Sequence, residues 1–326
     1  MGKEKVLITG GGGYIGSVLT RKLLNSNYRV RILDKFNFGI EPIADILNHP
    51  DLEVIIGDIR KIDDLKRAIK NVDHIVHLAA IVGDPACSIQ ADVAVETNFL
   101  STIRLARLAR ENGIKKFIFS STCSVYGSAE EDIVDENSMT NPVSLYAETK
   151  LDAEKQLLTL LEDQPSLTIL RFGTAYGLSP RMRFDLVINY FVKKALADKE
   201  IKIFGGEQWR PFVHIEDISR AIEIILNTEE EIVKGEIFNV GSTNENYKMK
   251  TIGDIIKEVI PDISIEIVKQ IQDRRSYKVS FKKIEETLKF KNKKIVKDGF
   301  VEIKEAIENK KIISPDDPIY YNHKNT

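Results

Sequence analysis

The sequence predicts an α/β fold: a doubly wound parallel sheet, followed by a second, smaller α/β lobe. Three observations predict it. Short runs rich in β-branched residues alternate with longer stretches of helical period through the first half of the 326 residues. A glycine-rich turn follows directly on the first apolar run and opens a helical stretch. After about Phe172 the strands become fewer and more scattered, so the parallel pattern ends there. The expected division is 1–172 for dinucleotide binding and 173–326 mainly for substrate, with some chain returning to the first unit.

Six strands are read in order: Lys5–Thr9, Arg29–Leu33, Glu53–Ile56, His74–Leu78, Lys116–Ser120 and Thr168–Phe172. Between them lie helical stretches at Ile15–Asn25, Ile62–Lys70, Val93–Asn112 and Ser144–Glu162. In the second half helices are expected near Asp185–Leu196, Ile218–Asn227, Ile252–Val259 and Phe281–Leu288. The Lys-rich stretch Lys289–Lys297 reads as solvated surface, and the polar end Tyr320–Thr326 as frayed.

Composition narrows the function. A hydrophobic fraction of 43%, a charged fraction of 29% and a net charge of −2 give no electrostatic reason to bind nucleic acid or a membrane. No apolar run approaches the roughly 20 residues that span a bilayer, and no signal-peptide pattern precedes the first strand, so a cytoplasmic protein with small-molecule partners is expected. The two cysteines, Cys87 and Cys123, form no CxxC pair and have no histidine cluster beside them, which argues against a disulfide framework or a metal site.

The turn Thr9-Gly-Gly-Gly-Gly-Tyr-Ile-Gly16 carries the first chemistry. Gly10 permits the tight turn, Gly13 lets the backbone approach a pyrophosphate, and Gly16 lets the helix pack on the strand with its N-terminus toward the phosphates. Asp34 ends the second strand, where a carboxylate bonds the adenosine ribose and repels a 2′-phosphate. This favours NAD over NADP, an exclusion that the neighbouring Lys35 softens. Asp58, in Gly57-Asp-Ile-Arg60, either bonds the adenine amino group or caps the next helix.

The second piece of chemistry is Tyr146-Ala-Glu-Thr-Lys150, whose spacing sets phenol and ammonium on one helix face, one turn apart. A phenol titrates near 10, so a base at neutral pH needs its pKa lowered by roughly three units, about 4 kcal/mol. The ammonium and the nicotinamide cation together can supply this. Upstream, the fifth strand ends in Phe119-Ser-Ser-Thr-Cys-Ser-Val-Tyr-Gly127, which delivers hydroxyls to the carboxyl end of the sheet. Thr122 is placed either to share the substrate proton with Tyr146 or to cap the turn that follows.

Together these motifs resemble the extended short-chain dehydrogenase/reductase family, in its NAD-dependent nucleotide-sugar epimerase/dehydratase branch, similar to UDP-glucose 4-epimerase. Further matching blocks are His77-Leu-Ala-Ala80, Arg171–Gly177 and Arg210-Pro-Phe-Val-His-Ile-Glu-Asp217. The resemblance implies a Rossmann domain and a catalytic set of Thr122, Tyr146 and Lys150. It implies that Leu78, Ala79 and Ala80 line the nicotinamide side, that Asn98 braces the sheet, and that Phe172–Thr174 lie between cofactor and sugar. Tyr14, Ile15, Lys35, Ile59 and Ser120 fall with the cofactor contacts. Val82, Gly83, Thr174, Arg181, Arg210 and Arg274 fall with the substrate contacts, Arg210 gripping the substrate diphosphate. It also implies a homodimer formed by the helices Val93–Asn112 and Ser144–Glu162.

Two departures narrow the chemistry. Sugar 4,6-dehydratases of this family carry an Asp-Glu pair directly after the catalytic Thr to eliminate water; here Cys123 and Ser124 stand there. The segments Ile81-Val-Gly-Asp-Pro-Ala-Cys87 and Leu178-Ser-Pro-Arg-Met-Arg183 border the expected sugar site and differ from galactose epimerases. The leading expectation is therefore an epimerase. A 4-dehydrogenase/ketoreductase is the alternative, ahead of a 4,6-dehydratase or a non-catalytic NAD sensor.

Overall fold

The computed structural model describes residues 2–128, 132–269 and 275–322. Its strands are β1 (Lys5–Thr9), β2 (Arg29–Asp34), β3 (Leu52–Ile56), β4 (His74–His77), β5 (Lys116–Thr122), β6 (Ser166–Phe172), β7 (Thr174–Tyr176), β8 (Glu200–Phe204), β9 (Trp209–His214), β10 (Glu236–Val240), β11 (Asn246–Lys248) and β12 (Ser264–Val268). Seven of them form one parallel sheet in the order β10-β6-β5-β4-β1-β2-β3. The six expected strands are all in it. The seventh, β10, comes from the second half of the chain and extends the edge beyond β6.

The central strands β1, β5 and β6 are buried along their whole length, which is why they read as continuous apolar runs rather than alternating ones. The helices α1 (Gly16–Asn25), α2 (Ile62–Ile69), α3 (Asp84–Ile89), α4 (Ala91–Val95), α5 (Ser101–Glu111) and α6 (Leu145–Leu160) come from the crossovers of the first half. The helix expected over Val93–Asn112 is interrupted: a π-helical turn, Glu96–Leu100, separates α4 from α5. One face of the sheet packs Leu7, Leu33 and Phe117 against the apolar sides of α2, α5 and α6. The other packs Val6, Ile8 and Ile118 against α1 and later chain.

That later chain includes α7 (Val187–Asp198), α8 (Ile215–Asn227), α9 (Glu230–Val233), α10 (Met249–Val259), α11 (Lys282–Leu288) and α12 (Val296–Glu308). α8 lies on α1, with Lys22 paired to Glu223 at 2.8 Å and Tyr28 Oη donating to Asn227 at 3.0 Å. A second apolar cluster gathers Tyr176, Phe184, Phe191, Ile252, Phe300 and Ile303, beside a three-stranded sheet β11-β9-β7 and a parallel pair β12-β8.

Two expectations change. The lysines of 289–297 are mostly exposed, but Phe290 within them is fully buried, and the amides of Lys293 and Lys294 donate to the buried carboxylate of Asp217 at 3.0 Å. Apolar burial and an amide-bound carboxylate pin this stretch. At the end of the chain Tyr320 packs edge-on against Phe184, and Tyr321 and Asn322 are buried, so these three are docked rather than frayed. Residues 323–326 lie outside the described ones. Among the described residues no helix is long and apolar enough to cross a membrane.

Candidate active site

In a parallel sheet every strand ends on the same rim. Thr9, Asp34, His77, Thr122 and Phe172 therefore stand along one edge, and the crevice opens where β1 and β4 are neighbours although β2 and β3 lie between them in sequence. Gly10 turns the chain there with φ +76 and donates its amide to Leu33 O at 2.9 Å; a Cβ on it would stand 2.8 Å from Ala79 N. A Cβ on Gly16 would stand 2.0 Å from Gly10 O, so only glycine lets α1 start this close to the loop. At Gly13 a Cβ would meet nothing but Gly10 O, at 3.2 Å. The outer face of the loop is thus open beside the first turn of α1, and the cradle fits a dinucleotide diphosphate.

Around this cradle the expected residues divide. Tyr14 turns its ring away into the second cluster, where its hydroxyl donates to Gly177 O at 2.7 Å and accepts from Asn189. What it offers the cleft, like Ile15, is main chain. Asp34 accepts from the amides of Gly12 (2.9 Å) and Phe36 (2.8 Å), while burial pushes its carboxyl above the usual range. Asp58 does not cap α2, whose N-cap residue is Lys61. It accepts from Arg60 and pairs with Lys35 at 3.3 Å. Burial opposes its ionisation, but the bonds from Arg60 outweigh this and hold its pKa at about 2. Ile59 beside it is buried.

The loop after β4 is fixed by a relay of hydroxyls. Ala79 N donates to Thr9 Oγ1 (3.3 Å), which meets His77 Nδ1 at 2.6 Å. On the other side His77 Nε2 meets Thr102 Oγ1 at 2.8 Å. Thr102 already donates its one proton to Asn98 O, so Nε2 must carry the imidazole proton and Nδ1 accepts from Thr9. The Asn98 amide then clasps the main chain of Ile81 on both sides, at 2.8 and 2.9 Å. Leu78, Ala79 and Ala80 are held half-buried between these anchors.

Ser144 caps α6 by accepting from Ala147 N at 3.3 Å, which places Tyr146 in its first turn and Lys150 in its second. The Lys150 ammonium is buried, donates to Ser120 O at 2.8 Å and lies over the Phe119 ring; burial lowers its pKa to about 8. Ser120 Oγ donates to His77 O, tying β5 to β4. Tyr146 is half-buried, and its phenol is pushed up rather than down. Burial dominates, reinforced by Cys87 and Asp84 and opposed by Arg183 and Arg275. Thr122 Oγ1 accepts from Ser124 N at 3.1 Å, so it caps the turn while keeping its own proton to donate.

Phe172 is buried and Thr174 half-buried, at the crossing from β6 to β7. Opposite them, Val82 O accepts from Asn322, and Gly83 (φ +95) leads into α3. Asp84 pairs with Arg275 at 3.1 Å, and Arg183 with Asp185 at 2.6 Å. Arg210 donates to Trp209 O and Arg275 O and lies over Tyr277, joining β9 to the strand-like segment beside it. Arg181 is stacked 3.9 Å over Phe38, in the turn after β2. Arg274 lies outside the described residues. Sequence reasoning missed Arg275, Phe38 and Asn322. Their only signal is proximity in space.

A model of the NAD dependent epimerase/dehydratase family matches residues 6–241. The chain is 33% identical over 265 residues to a putative UDP-glucose 4-epimerase of Methanocaldococcus jannaschii, spanning 78% of this chain and 82% of the relative. It is similar to the UDP-glucuronic acid 4-epimerase of Bacillus cereus, solved with UDP-glucuronic acid and NAD (29% identity, TM-score 0.82, 94% of this chain and 99% of that one). It is equally similar to a dTDP-glucose 4,6-dehydratase of Streptomyces venezuelae solved with NAD (27%, TM-score 0.83, 94% and 98%).

Proposed function

Since the chain belongs to the NAD-dependent epimerase/dehydratase family of nucleotide-sugar enzymes, we propose that it is a nucleotide-sugar 4-epimerase working through a 4-keto sugar. The observation that carries this is the pair after Thr122. Cys123 is buried, with its thiol against Arg171 O, and burial pushes its pKa far up. Ser124 Oγ stands beside Tyr277 Oη and Arg275. Neither can act as the carboxyl acid or carboxylate base that elimination of water requires. The carboxylates of Asp84 and Glu154 are paired with Arg275 and Arg171.

NAD, when bound, supplies a reversible two-electron acceptor at the sugar carbon. The chain supplies the rest. Tyr146 takes the proton of the C4 hydroxyl as that carbon is oxidised and returns it on reduction. Thr122 donates a hydrogen bond to the same oxygen. Lys150, fixed between Ser120 O and the Phe119 ring, is placed one helical turn from Tyr146 to hold the nicotinamide ribose. The open face at Gly13 takes the diphosphate, and Asp34 the adenosine ribose. The division at Phe172, with α8 and β10 returning to the dinucleotide half, belongs to this reading, as do a cytoplasmic location and a homodimer through α5 and α6.

The test is incubation with a panel of nucleotide sugars, with and without added NAD, resolving products and recording reduced cofactor. A C4 epimer with no net reduced cofactor supports the reading. Stoichiometric reduced cofactor with a keto sugar makes the protein a dehydrogenase instead, and loss of one water makes it a dehydratase.

A further inference from the structure

Lys150 is 2% exposed, and among the described residues no carboxylate bonds its ammonium. Its contacts are Ser120 O at 2.8 Å and the Phe119 ring at 4.8 Å, both on β5. A buried ammonium without a counter-charge gives up its proton more readily, and burial lowers this one to about 8. Two groups oppose that fall, Cys87 on α3 and Glu154 on α6. Burial pushes the Cys87 thiol up to about 11, so it carries no charge at neutral pH. His77 on β4 is neutral there as well, lowered by burial to about 3, and the Tyr146 phenol one turn earlier on α6 is pushed up. Glu154 is left as the counter-charge.

The hydrogen bonds point the same way. Glu154 follows Lys150 by four residues, so both lie on one buried face of α6, one turn apart. The two are seated on consecutive residues of β5: Lys150 donates to Ser120 O, and Ser121 Oγ donates to Glu154. Arg171 on β6 donates to both carboxylate oxygens of Glu154, at 2.7 Å from Nη2 and at 3.1 and 3.2 Å from Nε. Arg171 Nη1 donates on to Tyr126 Oη (3.0 Å), which donates to Asn239 Oδ1 on β10 (2.8 Å). All of these side chains are buried. An ion pair this deep adds little net stability, since replacing both charges by apolar groups often leaves a fold as stable or more so. What it does supply is a fixed negative charge one turn from Lys150.

We propose that Glu154 is a positioning residue: paired with Arg171 beneath α6, it keeps Lys150 charged and seated on Ser120 O, where Lys150 meets the nicotinamide ribose. The inference rests on the reading of Lys150 as a contact of that ribose, and not on which sugar reaction follows.

NAD affinity is measured by calorimetry between pH 6 and 9.5 for the wild-type chain, Glu154→Gln, Glu154→Asp and the double variant Glu154→Gln/Arg171→Met, with the melting temperature of each. Wild-type affinity should fall as the pH rises through about 8, where Lys150 loses its proton. In Glu154→Gln the midpoint should move down by roughly one pH unit, which reads as an affinity about fivefold weaker at pH 8 and nearly unchanged at pH 6. That variant leaves Arg171 buried without its partner and should melt lower. The double variant removes both charges and should regain most of the lost melting temperature while keeping the shifted midpoint. Glu154→Asp should return the midpoint toward that of the wild type. A wild-type midpoint in the double variant would make the pair structural and overturn the assignment. So would a wild-type affinity that stays level at alkaline pH, because the charge of Lys150 would then not matter to binding. A chain that shows the shift yet epimerises no sugar would keep this inference and lose the proposed reaction.

Discussion

Asp84 and Arg275 meet at 3.1 Å, one from the start of α3 and the other nearly two hundred residues later, and both lie in the electrostatic surroundings of Tyr146. One Asp84 oxygen faces Arg275, while the other is buried without a partner. The pair therefore joins the two halves of the chain beside the phenol and leaves an acceptor free for a sugar hydroxyl. Asp84→Asn should raise KM for the nucleotide sugar about tenfold or more, the worth of a hydrogen bond to a charged group, with NAD affinity unchanged. Because Asp84 pushes the Tyr146 pKa up, the same variant should move the rising limb of the kcat/KM profile to lower pH. Steady-state kinetics across pH reads both effects.

Tyr146→Phe keeps the ring and removes the proton carrier. Turnover should fall by about 10²–10⁴, the usual contribution of a positioned acid–base group, while NAD binding stays near wild type. A variant that still turns over at the wild-type rate would remove Tyr146 from the chemistry.

His77 gives a prediction about stability. Burial, with the Lys150 charge adding to it, lowers its pKa to about 3 against an ordinary 6.5. Below 6.5 the unfolded chain binds a proton that the folded chain refuses. The contribution of this histidine is thus complete above 6.5 and is lost progressively toward 3. His77→Gln should melt lower at pH 7, through loss of the Thr9–Thr102 relay, but should show a shallower decline between pH 6.5 and 4. Thermal melts over that range check it.

Gly16→Ala tests the cradle. The added Cβ would stand 2.0 Å from Gly10 O, so the loop or the start of α1 must shift. NAD affinity should drop roughly tenfold or more, 1.4 kcal/mol per factor of ten, as measured by calorimetry. A Gly13→Ala change meets only Gly10 O at 3.2 Å within the protein, so a loss there would instead report contact with the ligand.

The dinucleotide half was legible because its signals are local. Fully buried parallel strands read as apolar runs, and the glycines of the turn have fixed steric jobs within one loop. The four-residue step from Tyr146 to Lys150 also follows from helix geometry alone. β10 was not legible as the seventh strand, since Glu236–Val240 looks like any short strand until it pairs with β6 across some seventy residues. The docking of Tyr320 on Phe184 escaped for the same reason.

The sequence by itself determined the fold class, the glycine turn after β1, the family and the absence of a carboxylate pair after Thr122, because each depends on residue type and spacing within one element. Tertiary structure alone decided that Asp84 faces Arg275 and that Arg181 sits over Phe38. Charge partners are chosen by distance in space, and a chain that folds back on itself brings together groups whose separation in sequence carries no pattern to read.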